Sequence, residues 1–254
     1  MSGELAGRCI VITGAGGGVG RGIALACARE GASVVVASPR NNGLDTVKLV
    51  RDRGGEAEWV CCDVTRRGDV EDAVAGAIDR WGALDAVVHN ATSRRSSEPI
   101  RLEDVDADVW DDHASVSLRG AFHCAQVALP HLRARRGRFV LMTSPAGIEG
   151  SATLPVYGIV KGALRGLAKS LAREWAPFGV TVNVVSPLAA TPSLEQAITE
   201  DPALATRLAQ RIPLGRIGDA ETDVGTAVAF MLGDAARYIT GQTLVVDGGR
   251  FMGL

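Results

Sequence analysis

Aromatic residues and excess charge are both scarce in this chain of 254 residues. Aromatic side chains make up 4% of the sequence, and 27 lysines and arginines nearly balance 29 aspartates and glutamates, leaving a formal net charge of -2. Few aromatics leave little surface on which single-stranded bases can stack. A nearly neutral chain is also only weakly attracted to phosphate backbones and anionic membranes. We therefore expect neither a nucleic acid nor a membrane as a partner.

Metal-binding and targeting patterns are absent as well. The five cysteines show neither a Cys-x-x-Cys pair nor zinc-type spacing with histidine, which favours reduced, buried thiols and no metal site. They are Cys9, Cys27, Cys61, Cys62 and Cys124. The first residues lack the basic and apolar regions of a signal peptide, and no apolar run approaches the ~20 residues that span a bilayer. These absences predict a cytoplasmic protein.

What the sequence does contain is a regular alternation of short β-branched runs with longer helical patterns. The runs are almost continuously apolar, as in parallel strands that helices cover on both faces. The predicted strands are Cys9–Thr13, Ser33–Ala37, Ala57–Cys61, Leu84–His89, Arg138–Thr143, Val180–Val185 and Thr243–Val246. The predicted helices include Val19–Glu30, Asp69–Trp81, Gly120–Arg133, Val156–Trp175 and Glu221–Leu232. This order predicts one α/β domain over residues 1–254, with the doubly wound, Rossmann-type fold.

A glycine-rich turn joins the first predicted strand to the first predicted helix. It reads Thr13-Gly14-Ala15-Gly16-Gly17-Gly18-Val19-Gly20. Glycine allows a tight turn and lets backbone N–H groups approach a pyrophosphate, which a helix N-terminus also attracts. A flexible loop has a similar composition, but the position between a strand and a helix favours dinucleotide binding.

The end of the second strand bears on the choice of cofactor. Many folds of this type carry an acid there for the adenosine ribose hydroxyls, whereas this chain has Ser38, Pro39 and Arg40. Because no carboxylate repels a 2′-phosphate and Arg40 is able to pair with it, the sequence favours NADP(H) over NAD(H). The alternative is that Arg40 is an ordinary loop cation. Asp63, after the third strand, is a candidate acceptor for the adenine amino group, or else a turn cap.

A tyrosine, a lysine and a serine form the candidate catalytic set. Tyr157 and Lys161 lie four residues apart in a helical pattern and share one face. A tyrosine with an ordinary pKa of about 10 is a poor acid–base group near neutral pH, and a nearby ammonium is expected to lower that pKa. Ser144 follows a predicted strand, at the edge where parallel sheets bind ligands. A Tyr–Lys pair at this spacing also arises by chance, so the serine carries much of the argument.

In combination, these motifs resemble the short-chain dehydrogenase/reductase family. The resemblance covers almost the whole chain and rests on Thr13-Gly-x-x-x-Gly18-x-Gly20, Asp63, Asn90-Ala91, Ser144, Tyr157-x-x-x-Lys161, Asn183, Pro187, Thr191 and Asp247-Gly248-Gly249. It implies a seven-stranded parallel sheet, a homotetramer, and hydride transfer between a nicotinamide cofactor and a small carbonyl or secondary-alcohol substrate.

The resemblance also implies a role for each motif residue. Tyr157 is expected to donate a proton to the substrate carbonyl during reduction and to remove it during oxidation. Ser144 is expected to hydrogen-bond the same oxygen, and Lys161 to bind the nicotinamide ribose. The implied cofactor-binding set is Gly14, Gly18, Val19, Gly20, Ser38, Arg40, Asp63, Val64, Asn90, Tyr157, Lys161 and Thr191.

Three positions depart from the family pattern. Ser117 stands where the family has an asparagine of the catalytic tetrad, which helps to hold a water linking the lysine to solvent. A serine hydroxyl is still able to bind water, so Ser117 stays a catalytic candidate, and Ser117→Asn is expected to leave activity equal or higher. His89 replaces an asparagine, and a structural imidazole is favoured over a catalytic one. Leu188 replaces a glycine and is expected to alter the loop near the nicotinamide or narrow the substrate space.

The sequence leaves the substrate open. Chain length and the C-terminal segment resemble the 3-oxoacyl thioester reductases of the family, but alcohol and steroid dehydrogenases share the same frame. Arg94 and Arg95 are candidates to attract a phosphopantetheine or coenzyme A thioester, or are plain loop cations. Residues 189–213 are expected to form a lid over the substrate. The alternative function is an NAD(P)-binding sensor or subunit with little catalysis, which only Ser117 and the altered loop at Asn90 support.

Overall fold

Seven parallel strands form one sheet in the computed structural model, which describes residues 3–201 and 203–253. The strands are β1 Cys9–Thr13, β2 Ser33–Ser38, β3 Glu56–Cys61, β4 Ala86–His89, β5 Arg138–Met142, β6 Thr181–Pro187 and β7 Thr243–Val246. Their spatial order is β3-β2-β1-β4-β5-β6-β7, and every pairing is parallel. The order reverses between β1 and β4, where doubly wound sheets bind their ligands. The predicted fold class is confirmed.

Helices follow the strands in the alternation that the sequence predicted. They are α1 Gly18–Arg29, α2 Gly43–Asp52, α3 Arg67–Trp81, α4 Ala107–Ala114, α5 Gly120–Arg135, α6 Ala146–Glu149, α7 Pro155–Trp175, α8 Pro192–Glu200, α9 Ala203–Ala209 and α10 Thr226–Leu232. Short 3₁₀ turns occur at Leu102–Asp104, Ala176–Phe178 and Asp234–Ala236. No helix in the described ranges is long and apolar enough to cross a membrane.

Two wider π turns interrupt this pattern, at Ser115–Arg119 before α5 and at Ala220–Gly225 before α10. The second lies inside the predicted helix Glu221–Leu232, whose first half is therefore not α-helical. Close packing accompanies the change, because a Cβ added to Gly22 of α1 would lie 2.3 Å from the Ala220 carbonyl carbon. Single π turns of this kind occur frequently at functional sites.

The sheet separates two apolar cores, which explains why the strand sequences are hydrophobic without alternation. On one face, Val11 and Val35 pack with the buried residues of α3, α5 and α7. On the other face, Ile10 and Val34 pack with α1, α2 and α10. Successive side chains of a strand point to opposite faces, so strands buried on both sides contain apolar residues at every position.

Candidate active site

The glycine-rich turn requires glycine at specific positions. Gly14 and Gly18 have positive φ angles of +66° and +52°, a region that other residues enter at a cost. A Cβ on Gly14 would lie 2.9 Å from the Cα of Ala91, and a Cβ on Gly20 would lie 2.4 Å from the Gly14 carbonyl oxygen. The turn therefore packs too tightly against the start of α1 and the loop after β4 to accept side chains there.

Side chains from three other segments hold the carbonyl groups of this turn. Asn90 donates through Nδ2 to the carbonyl oxygen of Gly14 at 3.1 Å. The carbonyl oxygen of Gly16 accepts from Asn42 Nδ2 at 3.0 Å and from the Arg21 guanidinium at 2.8 Å. With its acceptors satisfied, the turn is fixed before any ligand binds.

The backbone N–H groups of residues 16–20 in the same turn have no hydrogen-bond partners of this kind. From residue 16 to residue 20, no backbone N–H donates to a backbone carbonyl anywhere in the described chain. These donors surround the N-terminus of α1, whose dipole attracts negative charge. A cradle of unpaired N–H groups at a helix start fits a pyrophosphate.

The end of the cavity beyond β2 and β3 is where the sequence predicts the adenosine. The Ser38 hydroxyl donates to the Arg40 carbonyl oxygen at 2.9 Å and accepts from the Trp59 indole N–H at 3.0 Å. Ser38 is thus engaged in shaping the loop, while the exposed Arg40 lines the cavity. Pro39 does not turn Arg40 away from the cavity edge.

Asp63 lines the same cavity and also caps a turn. Its Oδ1 accepts from the backbone N–H of Thr65 at 3.0 Å and from the Thr65 hydroxyl at 2.8 Å. Both interpretations of Asp63 therefore stay compatible, because the cap fixes the carboxylate beside the space for a ligand. Val64 follows in the same cavity wall.

The candidate catalytic residues meet at the carboxyl edge of β5. Tyr157 and Lys161 lie one turn apart on α7, with Lys161 Nζ 5.6 Å from the centre of the Tyr157 ring. Lys161 Nζ donates to the Met142 carbonyl oxygen at 2.9 Å. The Thr143 hydroxyl donates to the Lys161 carbonyl oxygen at 2.7 Å, which ties the helix to the strand end. Ser144 follows directly, and its hydroxyl is near enough to Tyr157 to lower the pKa of the phenol.

Burial dominates the electrostatics of the tyrosine and the lysine. The pKa of Tyr157 is raised above its ordinary value because burial disfavours the phenolate, and the nearby Ser144 hydroxyl only partly offsets this. Lys161 does not lower the tyrosine pKa here, so that expectation from the sequence is wrong for this structure. Burial also lowers the pKa of Lys161 from 10.5 to about 8, because a buried ammonium loses its hydration.

One cavity of about 1040 Å³ collects most of the predicted site residues. It is lined by Gly14, Gly18, Val19, Gly20, Ser38, Arg40, Asp63, Val64, Asn90, Tyr157, Lys161 and Thr191, together with Ser93, Arg94, Asp112 and Leu154. Ser144 does not line this cavity, but it lies next to Tyr157, which does. Residues from positions 14 to 191 therefore converge on one space, large enough for a dinucleotide and a small substrate.

Two predicted site residues, Ser117 and Ser144, lie outside this cavity lining. Ser117 occupies the π turn before α5, is fully buried, and its hydroxyl has no hydrogen-bond partner among the residues described. Its backbone carbonyl oxygen lies 3.1 Å from Nε2 of His89. The Ser117 hydroxyl is therefore without a protein partner in the described chain, and its place in a water-mediated proton relay stays a prediction.

Leu188 and the two loop arginines also lie differently from some expectations. Leu188 donates its N–H to the Val246 carbonyl oxygen at 2.9 Å and lines a second cavity with Leu214 and Phe251. It thus does not narrow the cavity that holds Tyr157. Arg95 pairs with Glu98 at 3.0 Å, whereas Arg94 is exposed and lines the first cavity.

Several residues around the site are not evident in the sequence pattern. Asn42 and Arg21 hold the glycine turn, although neither belongs to a motif. Asp112 lines the cavity and accepts a hydrogen bond from the buried Ser93 hydroxyl. His113 is 3% exposed and its ring contacts that of Tyr157 edge-on, with centroids 6.4 Å apart. The only signal in the sequence for His113 is a histidine one helical turn from other polar residues, which is too common to be diagnostic.

Comparison with known proteins supplies an independent view of this arrangement. A family model described as enoyl-(acyl carrier protein) reductase matches residues 14–250. The 3-oxoacyl-[acyl-carrier-protein] reductase of Staphylococcus epidermidis is 34% identical over 248 residues, which cover 96% of this chain and 99% of that protein. The reductase of the same name from Thermotoga maritima is 33% identical over 249 residues, covering 97% and 98%.

A solved structure agrees with the fold. The 3-ketoacyl-(acyl-carrier-protein) reductase of Brucella melitensis, in complex with NADH, superposes with a TM-score of 0.87 at 29% identity. The match covers 98% of this chain and all of that one.

Proposed function

We propose that the substrate of this protein is a 3-oxoacyl thioester. The chain belongs to the short-chain dehydrogenase/reductase family and is an NAD(P)-dependent oxidoreductase that acts on C=O and CH–OH groups. Residues 1–254 form its single catalytic domain. The proposal depends above all on one observation: Tyr157 and Lys161 line the same cavity as the glycine turn, with the Ser144 hydroxyl close to Tyr157. The names of the two sequence relatives support the thioester.

Tyr157 is the proton donor in the proposed reduction. Its raised pKa keeps the phenol protonated at neutral pH, which is the form that donates to a developing alkoxide. The Ser144 hydroxyl, which lies close to Tyr157, donates its one hydrogen to the same substrate oxygen and stabilises its negative charge. When bound, the nicotinamide cofactor supplies the hydride that reduces the carbonyl carbon.

Lys161 orients the cofactor rather than the substrate. Its ammonium is buried beside the strand end and already donates to the Met142 carbonyl oxygen, which leaves two N–H donors for the nicotinamide ribose hydroxyls. Because its pKa of about 8 lies above neutral pH, the group is mostly charged in the cell. Thr191, in the same cavity wall, contacts the nicotinamide end.

The remaining cavity residues hold the rest of the dinucleotide. Gly18, Val19 and Gly20 receive the pyrophosphate on their unpaired N–H groups, and Gly14, whose own N–H donates to the Ala37 carbonyl oxygen, lines the same place without a side chain. Asp63 and Val64 receive the adenine, and Asn90 keeps the turn in place. NADP(H) is preferred over NAD(H), because Arg40 is the charged residue at the β2 end of the cavity and no carboxylate precedes it there.

A substrate panel tests the proposed reaction. The purified enzyme is assayed for NADPH and NADH oxidation with 3-oxoacyl thioesters of coenzyme A and N-acetylcysteamine, and with simple ketones, using Tyr157→Phe as the blank. We expect the highest kcat/KM with a thioester and NADPH. Turnover of ketones without turnover of any thioester would refute the substrate. Tight cofactor binding with no turnover at all would instead favour the sensor function.

We further propose that the enzyme is a cytoplasmic homotetramer. Phe122 of α5 and Ile159 of α7 are about half exposed, at 51% and 48%, and large apolar side chains on neighbouring helices are typical of subunit interfaces. Size-exclusion chromatography with light scattering measures the molar mass of the assembly. Phe122→Glu is expected to reduce this mass.

A further inference from the structure

Two positions at which this chain departs from its family, 89 and 117, are in direct contact. His89 ends β4 and Ser117 lies in the π turn before α5, 28 residues away, with His89 Nε2 3.1 Å from the Ser117 carbonyl oxygen. We infer that His89 is a positioning residue that fixes this π turn, and that His89 and Ser117 form one coupled unit. The inference rests on the proposed function only for its kinetic readout.

The hydrogen-bond chemistry of the imidazole admits one arrangement. A backbone carbonyl only accepts, so Nε2 of His89 must carry the hydrogen that it donates to Ser117. Nδ1 is then an acceptor, and the Thr13 hydroxyl oxygen lies 3.2 Å from it. His89 is therefore a neutral imidazole with its proton on Nε2.

Thr13, at the other end of this series of hydrogen bonds, begins the glycine-rich turn. Thr13 Oγ1 accepts from the backbone N–H groups of Asn90 at 3.1 Å and Ala91 at 3.2 Å. Its one hydroxyl hydrogen is thus available for Nδ1 of His89. The imidazole links the residue that begins the glycine turn to the π turn on the far side of β4.

The same imidazole fills the space between strand and helix. Ser117, Gly120 and Cys124 are spaced three and four apart, which places them on one side of the helix. A Cβ on Gly120 would lie 3.2 Å from His89 Cε1, and Cys124 Sγ lies 3.7 Å from His89 Nδ1. Because Ser117 is fully buried, a larger side chain at 117 has no room while the imidazole is present.

The π turn matters for the reaction because it packs against α7, which carries Tyr157 and Lys161. Burial, together with the charge of the nearby Lys161, lowers the pKa of His89 to about 3. His89 is therefore uncharged at neutral pH and does not place a second positive charge beside Lys161. A displaced π turn would shift α7 against the strand end, and small displacements of catalytic groups are costly in rate.

A double-mutant cycle tests the coupling. The sequence alone predicts that Ser117→Asn is neutral or favourable, but with His89 in place we expect it to lower Tm by several degrees and kcat by about ten- to a hundredfold. We expect a similar loss for His89→Asn, because the Ser117 carbonyl is left buried without its donor. In the double variant the asparagine at 117 gains the space and the unpaired groups that His89 leaves, and both values recover toward wild type. Additive losses would overturn the inference.

A control and a second readout separate positioning from simple loss of folded protein. His131 lies 14 residues along from Ser117, so His131→Asn combined with Ser117→Asn is expected to be additive. Rates are expressed per NADPH-binding site, counted by titration. If kcat per site stays unchanged in His89→Asn, the contact is merely structural and the positioning role is wrong.

Nitrogen NMR of the wild-type enzyme tests the tautomer without any substrate. The chain has four histidines, which makes assignment by single substitution practical. We expect His89 to show a protonated Nε2, an unprotonated Nδ1, and no titration between pH 5 and pH 8. A proton on Nδ1, or titration in that range, would refute the arrangement. Should the enzyme turn over no substrate, this spectrum and the Tm cycle still decide the inference.

Discussion

The two walls of the cavity differ in which of their polar groups are paired. On the cofactor wall, the carbonyl groups of Gly14 and Gly16 accept hydrogen bonds from side chains on three other segments. On the catalytic wall, Lys161 is buried and donates to the Met142 carbonyl oxygen, while His113, which packs against Tyr157 outside the lining, has an Nδ1 with no partner in the described part of the chain. On the cofactor wall, the groups without a partner in the described chain are the N–H groups of residues 16–20 and Asn42 Oδ1.

This difference indicates a division of work. The cofactor wall is rigid and offers fixed N–H donors, so binding costs little reorganisation. The catalytic wall retains desolvated titratable groups, whose pKa values burial has moved, as the direction for Tyr157 and the value for Lys161 show. Perturbed groups of this kind are typical of the part of a site that performs chemistry.

Removing the tyrosine hydroxyl is the strongest way to separate the walls. We expect Tyr157→Phe to lower kcat by about 10²- to 10⁴-fold, the usual contribution of a general acid, while the Kd for NADPH stays close to wild type. The chain has only one other tyrosine, Tyr238, which is fully exposed, so Tyr238→Phe is the matched control. A large loss of NADPH affinity in Tyr157→Phe, measured by cofactor fluorescence, would show that the walls are not independent.

Gly14→Ala is the converse change, made on the cofactor wall. The positive φ of Gly14 and the 2.9 Å approach to Ala91 predict a Kd for NADPH about tenfold weaker, since a left-handed conformation costs about 1–2 kcal/mol for other residues. Gly54→Ala provides equal backbone strain, at φ +80° with open space around it, outside the cavity lining. It should lower Tm but not affinity. Equal affinities for both variants would count against the cradle.

Arg40→Ala sharpens the picture of the cofactor wall at its adenosine end. We expect the ratio of NADPH to NADH affinity to fall about five- to tenfold, which corresponds to ~1–1.5 kcal/mol for an exposed charge-assisted pair. Arg237→Ala, an exposed arginine outside the cavity lining, serves as the control. An unchanged ratio would remove the argument for NADP(H).

Lys161→Met tests how much the buried ammonium of the catalytic wall destabilises the folded chain. The pKa of Lys161 is about 8 in the folded chain and 10.5 ordinarily, so between these values the unfolded chain holds a proton that the folded chain has lost. Wild-type stability from this group therefore falls as pH drops from 10.5 to 8 and stays low below 8. We expect Lys161→Met to lose activity and to raise Tm at pH 7 by about 2–4 °C, the effect of ~1 kcal/mol in a chain of this size.

That gain should shrink as pH rises above 8. Calorimetry across this range measures it, with the exposed Lys169→Met on the same helix as the control. A gain independent of pH would mean that packing, rather than the buried charge, sets the difference.

The elements of the fold and the identities of most cavity residues are predictable because their signals are local. The apolar runs of β1 and β2, the glycines at 14 and 18 and the i, i+4 spacing of Tyr157 and Lys161 all follow from backbone geometry and periodicity. Parallel topology then brings the strand ends to one edge. Asn42 and Arg21 were not predictable, because nothing near them in the chain marks their contact with Gly16.

By itself, the sequence determined the alternation of strands and helices, the cradle at Gly14–Gly20 and the candidate set of Ser144, Tyr157 and Lys161. Only the tertiary structure decided that Leu188 faces a second cavity and that the pKa of Tyr157 is raised rather than lowered. It also decided that His89 reaches the Ser117 carbonyl. The physical reason is that desolvation and long-range hydrogen bonds depend on which distant segments pack together, and no local pattern carries that information.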